Sequence, residues 1–343
     1  MLTSKTFKLL SVAAVIGAAA AFSAPQASAQ EVKLRLHTFV PAPSGSFKAL
    51  VWWAKQVEEK SNKRISIKLF PSRQLGGKPS ELYDQARRGF VDITYVLPGY
   101  NPGRFPRSEV AELPFISGRP PTVMSPAVWT LYQSHLKEEY KDTHPLLVFS
   151  AGSMGLFSHK PIKSVDDLKG LKVRVSGRAL TDTFKVVGAT PVGIPGTGFA
   201  EAFQRNVIDT VLTAWTISLP TKLVRMASHY AQPAISNPVL MLVMNKDSYN
   251  KMPSDLKRVV DGESGMGLAH KFGARWLKDD GPALNVAHKS GKPFYTFSEA
   301  DRKKWEAAAA PVFTSWVARM KEKGIDGQEL IDAARAAVAK FEK

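Results

Sequence analysis

Between Val32 and Leu97 the chain alternates two incompatible periodicities, and that alternation restricts its fold more than any other feature. Val32–Thr38 places Leu34, Leu36 and Thr38 at every second position, as a half-buried strand does, and a loop bearing Pro and Gly follows at 41–45. Phe47, Leu50, Val51, Ala54 and Val57 then recur at three and four residues, the spacing of one helix face, with Lys48, Lys55, Glu58 and Glu59 opposite. The spacing predicts a strand at 65–69, a helix at 79–88 and an apolar strand at 92–97, closed by Pro98-Gly99. Strand, helix, strand, helix, strand opens an α/β fold.

Residues 100–121 read as loop and 122–140 as helix, and a short buried-type strand at 146–150 leads into Ala151-Gly152-Ser153, a candidate hinge. Beyond it, strands at 171–175, 190–193 and 207–212 alternate with helices at 179–187 and 199–205, so a second α/β unit begins near residue 151. The apolar run 238–244 reads as a central strand, and the chain is expected to recross between units near residue 240. A mostly helical stretch at 253–279, a last strand at 292–297 and two terminal helices at 298–320 and 328–341 complete the pattern. The expected division is a first domain of 31–150 plus 241–280 and a second of 151–240 plus 281–343.

Lys5 and Lys8, the apolar run 9–22 and the small residues Ala27-Ser28-Ala29 have the order of a secretory signal peptide over 1–29, cleaved before Gln30. An exported protein is expected, and with no cysteine in its 343 residues its stability must come from its core. Without the two leader lysines the formal net charge of +17 falls to about +15, a field that attracts anions. Nucleic acid is a poor candidate partner, because the basic residues are spread singly and no zinc-finger spacing or RNA-binding aromatic motif occurs.

The chemistry narrows further. Seven histidines lie far apart with no metal-binding spacing, and no Gly-x-Ser-x-Gly elbow occurs, so neither a metal, another cofactor nor a serine nucleophile is expected. Gly193, Gly196 and Gly198 stand between a strand and a helix, the context for cradling an anion, although a plain loop turn is the stronger reading. Asp166-Asp167 reads as a helix start. Arg174 lies near the carboxyl end of the 171–175 strand, where open α/β sheets bind ligands, and its planar fork suits a carboxylate; an Arg reaching from a sheet edge to water fits that strand equally well. Phe39, Tyr95, Tyr100, Phe157 and Trp215 fall at or just after strands, where they could face one cleft or fill cores.

An exported chain with Gly76-Gly77 ahead of Glu81-Leu82, Gly89-Phe90-Val91-Asp92-Ile93, Glu112-Leu113-Pro114-Phe115, Leu168-Lys169-Gly170-Leu171-Lys172-Val173-Arg174-Val175 and Asn206-Val207-Ile208-Asp209 resembles the DctP-type solute-binding proteins of TRAP transporters over essentially its whole mature length. The resemblance implies a two-domain periplasmic binding protein clamshell, its hinge crossed more than once, with a long helix shared by both domains. It also implies an organic-acid ligand clamped by Arg174, with delivery to a small and a large membrane subunit; a monomer is expected. Two departures stand out: Thr210, Leu212, Thr213 and Ala214, then Trp215, replace the family's more polar run, and Ser176 stands where many relatives have Pro.

A sugar acid needs a hydrogen-bond partner for each buried hydroxyl, and Leu212 and Ala214 cannot serve. The expected ligand is therefore an aromatic or otherwise apolar monocarboxylate, stacked on Trp215, Tyr95 or Tyr100, with Phe39, Gly196, Thr213 and Ser153 completing the site. A secreted enzyme acting on an anionic small molecule is the alternative, and it requires an acid/base pair that the sequence does not display. A receptor for another transporter, or a sensor, is the third.

Overall fold

The computed structural model describes residues 31–342; the leader read at 1–29 lies outside them. Eleven strands are described: β1 (Val32–Thr38), β2 (Ile65–Phe70), β3 (Ile93–Val96), β4 (His144–Ser150), β5 (Met154–Ser158), β6 (Lys172–Val175), β7 (Thr190–Gly193), β8 (Thr210–Ala214), β9 (His229–Gln232), β10 (Val239–Met244) and β11 (Phe294–Thr296). They form two sheets, ordered β2-β1-β3-β10-β4 and β11-β9-β5-β8-β6-β7. In the first, β1 runs parallel to β2 and β3, and β10 enters antiparallel between β3 and β4. All six residues of β10 are buried, as a central strand covered on both faces requires.

β5 and β9 have no counterpart in the sequence reading. Met-Gly-Leu-Phe-Ser and His-Tyr-Ala-Gln contain no β-branched residue and no alternation, and they become strands through their mutual antiparallel pairing. The helix expected over 122–140 is shorter, Pro121–Leu131, and continues as single wide and tight turns to Tyr140.

The chain passes from the first sheet to the second between β4 and β5 and returns between β9 and β10. These two crossings are tied side by side. The Ala151 N–H donates to the Pro238 carbonyl at 2.9 Å, and the Asn237 amide donates to the carbonyls of Arg119 and Ala151, each at 3.0 Å.

The 25-residue helix Gly265–Lys289, about 37 Å long at 1.5 Å per residue, lies along both units. Leu268, Ala269, Phe272 and Trp276 pack in the core of the first sheet, whereas Ala283 and Ala287 pack with Phe157, Trp215 and Tyr230 under the second. The stretch 281–343, expected wholly in the second domain, is divided as well. In the helix Glu299–Glu322, Trp305 and Ala309 join the second unit's core, but Val312, Trp316 and Met320 join the first unit's, as does the final helix Gly327–Ala339 through Leu330, Ile331 and Ala334. The apolar stripe runs the helix's full length, so no composition shift marks where it changes partner. Among the described residues no helix is long and apolar enough to cross a membrane.

Candidate functional site

A cavity of about 360 Å³ lies between the two sheets, lined from the first by Phe39, Val40, Tyr95, Leu97 and Tyr100 and from the second by Met154, Arg174, Gly196, Phe199 and Thr213. Most of these residues stand at or just past the carboxyl ends of β1, β3, β6, β7 and β8, the ends at which α/β sheets leave a crevice. In β6, Val173 and Val175 enter the second unit's core, and Arg174, on the other face with exposed Lys172, lies buried against the cavity.

Arg174 is 3% exposed. Its Nε donates to the Ile194 carbonyl at 2.7 Å and Nη1 to the Leu212 carbonyl at 3.0 Å, and the guanidinium lies 4.9 Å from the Phe199 ring centroid. Burial lowers its pKa, and the neighbouring Tyr100 hydroxyl raises it in part. An arginine keeps its charge under such a shift. No acidic side chain lines the cavity, and among the described residues no carboxylate pairs with Arg174. Two backbone carbonyls fix the fork in place while its outer edge keeps N–H groups for an anion.

Tyr100 extends this polar wall. Its hydroxyl oxygen accepts the Gly196 N–H at 2.9 Å, so its own O–H can be donated into the cavity, and its ring meets Phe39 edge to face at a centroid distance of 5.4 Å. Thr213 contributes a further hydroxyl.

Phe39, Tyr95, Tyr100, Arg174, Gly196 and Thr213 are thus brought together on one cavity. Trp215 and Ser153 are not. Trp215 is fully buried in the second unit's core, stacked on Phe294 at 5.5 Å and edge to face with Phe157 at 4.7 Å. Ala214 takes the cavity position, and the chain turns into the helix Trp215–Ser218, which carries the indole behind β5. There Gly155 makes room for it, since a Cβ at that position would stand 2.6 Å from the indole ring. Ser153 gives way to Met154, the adjacent residue, whose side chain lines the cavity instead.

Sequence reasoning missed Arg73, Ser46 and Trp276, which also line it. Arg73 sits in the loop after β2 with a left-handed φ of 61°, its N–H donated to the Thr38 carbonyl at 3.0 Å. A cation in a short loop between breakers was the available signal. Ser46 and Trp276 occupy helices, where nothing separates them from ordinary packing residues.

The acids with the largest upward shifts lie elsewhere. Burial pushes Glu112 up to about 8 and Asp280 up to about 7, but both stand at the junction of the units, bonded to the backbone N–H groups of Val239 and Thr216. Neither lines the cavity. Among the described residues no group of three His, Asp or Glu side chains is placed to hold a metal.

Residues 36–320 match the bacterial extracellular solute-binding protein family 7, DctP. The crystal structure of a TRAP solute-binding protein from Rhodoferax ferrireducens T118, in complex with copurified benzoate, is 33% identical, covers 90% of this chain and 98% of its own, and superimposes with a TM-score of 0.87. A marine metagenome TRAP solute-binding protein specific for aromatic acid ligands, in complex with 3-hydroxybenzoate, is 32% identical over 92% of this chain and all of its own, with a TM-score of 0.88. The outer membrane transporter protein TsaT of Comamonas testosteroni is 24% identical over 92% of this chain and 94% of its own. The two crystallised relatives are solute-binding receptors of a periplasmic family and not enzymes, and the chain belongs with them to the DctP-type solute-binding proteins of TRAP transporters.

Proposed function

We propose that this receptor captures an aromatic or otherwise apolar monocarboxylate, closes over it, and hands it to a small and a large membrane subunit. The observation that carries the reading is Arg174, a buried guanidinium held by two backbone carbonyls and offered no carboxylate by the protein. A buried charge is costly unless paired, so an anionic ligand is its natural partner. Phe39, Leu97, Met154, Phe199 and Leu240 supply the apolar remainder of the wall, which suits a ring better than a chain of hydroxyls. The benzoate and 3-hydroxybenzoate complexes of its relatives support the same ligand class.

Closure would turn on the crossing segments 151–153 and 233–238, with the units bounded near residues 150 and 240 and the C-terminal helices bridging them. Export would begin with removal of residues 1–29, leaving a monomer that starts at Gln30; an intact leader in the mass of the exported protein would contradict this. Arg73 favours a second reading, a diacid, because it places another cation on the cavity from the opposite unit.

Calorimetric titration of benzoate-, phenylacetate- and mandelate-like acids against uronates, succinate and an aromatic diacid tests both readings. Thermal shift gives the first screen, since ligand at 100 times its Kd adds about 2.7 kcal/mol to stability. Tighter binding of a uronate or succinate than of every aromatic acid would overturn the proposal.

A further inference from the structure

Four polar atoms of cavity-lining residues have no hydrogen-bond partner, Arg73 Nε and a group of three. Ser46 Oγ, Tyr95 Oη and Trp276 Nε1 are closed off from solvent, and none makes a hydrogen bond among the described residues. They come from three separate elements: the first turn of the helix Gly45–Lys60, strand β3, and the long shared helix. The three are neighbours nonetheless, for Ser46 and Trp276 are the side chains that act on the Tyr95 hydroxyl. Burial holds that phenol far above its ordinary pKa, so it remains a neutral O–H.

Hydrogen-bond accounting shows what the group lacks. An indole only donates, while each hydroxyl donates once and can accept. If Trp276 donates to Tyr95 and Tyr95 to Ser46, the serine O–H is left without an acceptor; if the order runs through Ser46 first, the tyrosine O–H is left. Every internal arrangement therefore has one donor too many. Arg174 on the opposing wall, with the Tyr100 hydroxyl beside it, is already taken by the carboxylate. A second oxygen on the ligand is the missing acceptor.

We infer that Ser46, Tyr95 and Trp276 form a second polar subsite, which holds a hydroxyl oxygen borne by the ligand away from its carboxylate and so selects hydroxylated aromatic acids over bare ones. The inference rests on the reading that Arg174 takes the carboxylate. A hydroxyl accepts the surplus donor and returns its own proton to Ser46 or Tyr95. A ring hydrogen in the same place leaves buried donors unpaired, and sites built to bond a hydroxyl reject analogues lacking it more strongly than apolar pockets reject a missing methylene.

Calorimetry of the full mature chain with benzoate and with its 2-, 3- and 4-hydroxy derivatives, repeated for Tyr95→Phe, Ser46→Ala and Arg174→Ala, tests it. The expected result is a preference of about tenfold or more for at least one hydroxy acid in the wild type, a free-energy difference of roughly 1.4 kcal/mol. That preference should collapse to within about threefold in Tyr95→Phe or Ser46→Ala, whereas Arg174→Ala weakens hydroxylated and bare acids alike. Equal binding of bare and hydroxylated acids by the wild type overturns the subsite and leaves the carboxylate reading standing. So does a preference unchanged in both variants, which would make the trio a packing feature; if Tyr95→Phe does not fold, Ser46→Ala alone decides. Failure of every one of these acids to bind the wild type counts against the parent reading as well.

Discussion

The Tyr100 hydroxyl accepts the Gly196 N–H at 2.9 Å, and this bond spans the cavity from the loop after β3 to the loop after β7. Tyr100 belongs to the first unit and Gly196 to the second, so the two walls are fastened to each other beside Arg174. Gly196 suits that place because a Cβ there would stand 3.0 Å from the hydroxyl and 3.4 Å from the Phe39 ring.

Tyr100→Phe keeps the edge-to-face contact with Phe39 and removes the clasp together with the O–H that can be donated into the cavity. A neutral hydrogen bond contributes about 0.5–1.5 kcal/mol net, so loss of the clasp alone should lower affinity roughly 2- to 13-fold, mostly through faster dissociation. X-ray scattering at saturating ligand should show a larger fraction of open molecules. Unchanged dissociation and unchanged scattering would mean that the bond is incidental to closure.

Arg174→Ala should abolish useful binding while the protein still folds, at some cost to stability because the Ile194 and Leu212 carbonyls lose their donors. Losing one partner of a buried, hydrogen-bonded charge pair costs about 2–5 kcal/mol, or roughly 30- to several-thousand-fold in affinity. Arg174→Lys should restore little, since an ammonium cannot bond two carbonyls and a carboxylate in one plane. An affinity for benzoate or a hydroxybenzoate within about threefold of wild type in the Ala variant would make Arg174 a structural residue.

What the sequence displayed of this site was what strand grammar displays. Arg174 was legible because the β-branched run around it fixes a strand, and a strand's carboxyl end fixes a location. Phe39, Tyr95 and Tyr100 were legible for the same reason. Trp215 misled because one-dimensional adjacency to β8 does not say to which side the turn after the strand throws its side chain. Gly155, the residue that admits the indole, stands 60 positions earlier in a strand with no strand signature. Trp276 and Ser46 were invisible because helices lend their periodicity equally to cores and to cavity floors. The second unit's claim on the whole C-terminus failed for a similar reason: the stripe Trp305, Ala309, Val312, Trp316 and Met320 is continuous, while the surface beneath it changes.

Trp215 should accordingly behave as scaffold. Trp215→Ala opens a large void against Phe157, Tyr230 and Phe294 and should lower the free energy of unfolding by about 3–5 kcal/mol, read by denaturant titration. Trp215→Phe should lower it less and leave ligand affinity within about threefold. A tenfold loss of affinity in Trp215→Phe with unaltered stability would return the indole to the ligand.

Stability should fall as pH rises, and Asp280 is a principal reason. Its carboxylate stands on the long shared helix and accepts the Thr216 N–H at 2.9 Å, with one oxygen so close to Gly152 that a Cβ there would stand 2.3 Å away. Burial, and secondarily the charge of Asp279, push its pKa up to about 7, against about 3.9 for an unfolded chain. The folded state therefore binds a proton that the unfolded state has released across that interval, and the slope of stability with pH is negative there. The contribution is fully present below about pH 4 and is lost as pH rises to about 7. Asp280→Asn keeps an acceptor for Thr216 and does not titrate, so its free energy of unfolding should exceed that of wild type at pH 8, by an amount on the order of 1 to a few kcal/mol, and approach it at pH 4. Glu112, pushed up to about 8 by burial while accepting the Val239 N–H at 2.7 Å, gives an independent repeat through Glu112→Gln, with the window extending about one unit higher. Scanning calorimetry of both variants from pH 4 to 9 measures the differences directly. A difference that stays flat across the range, or that favours wild type as pH rises, would show that these carboxyl groups are ionised in the folded protein and paired in some other way.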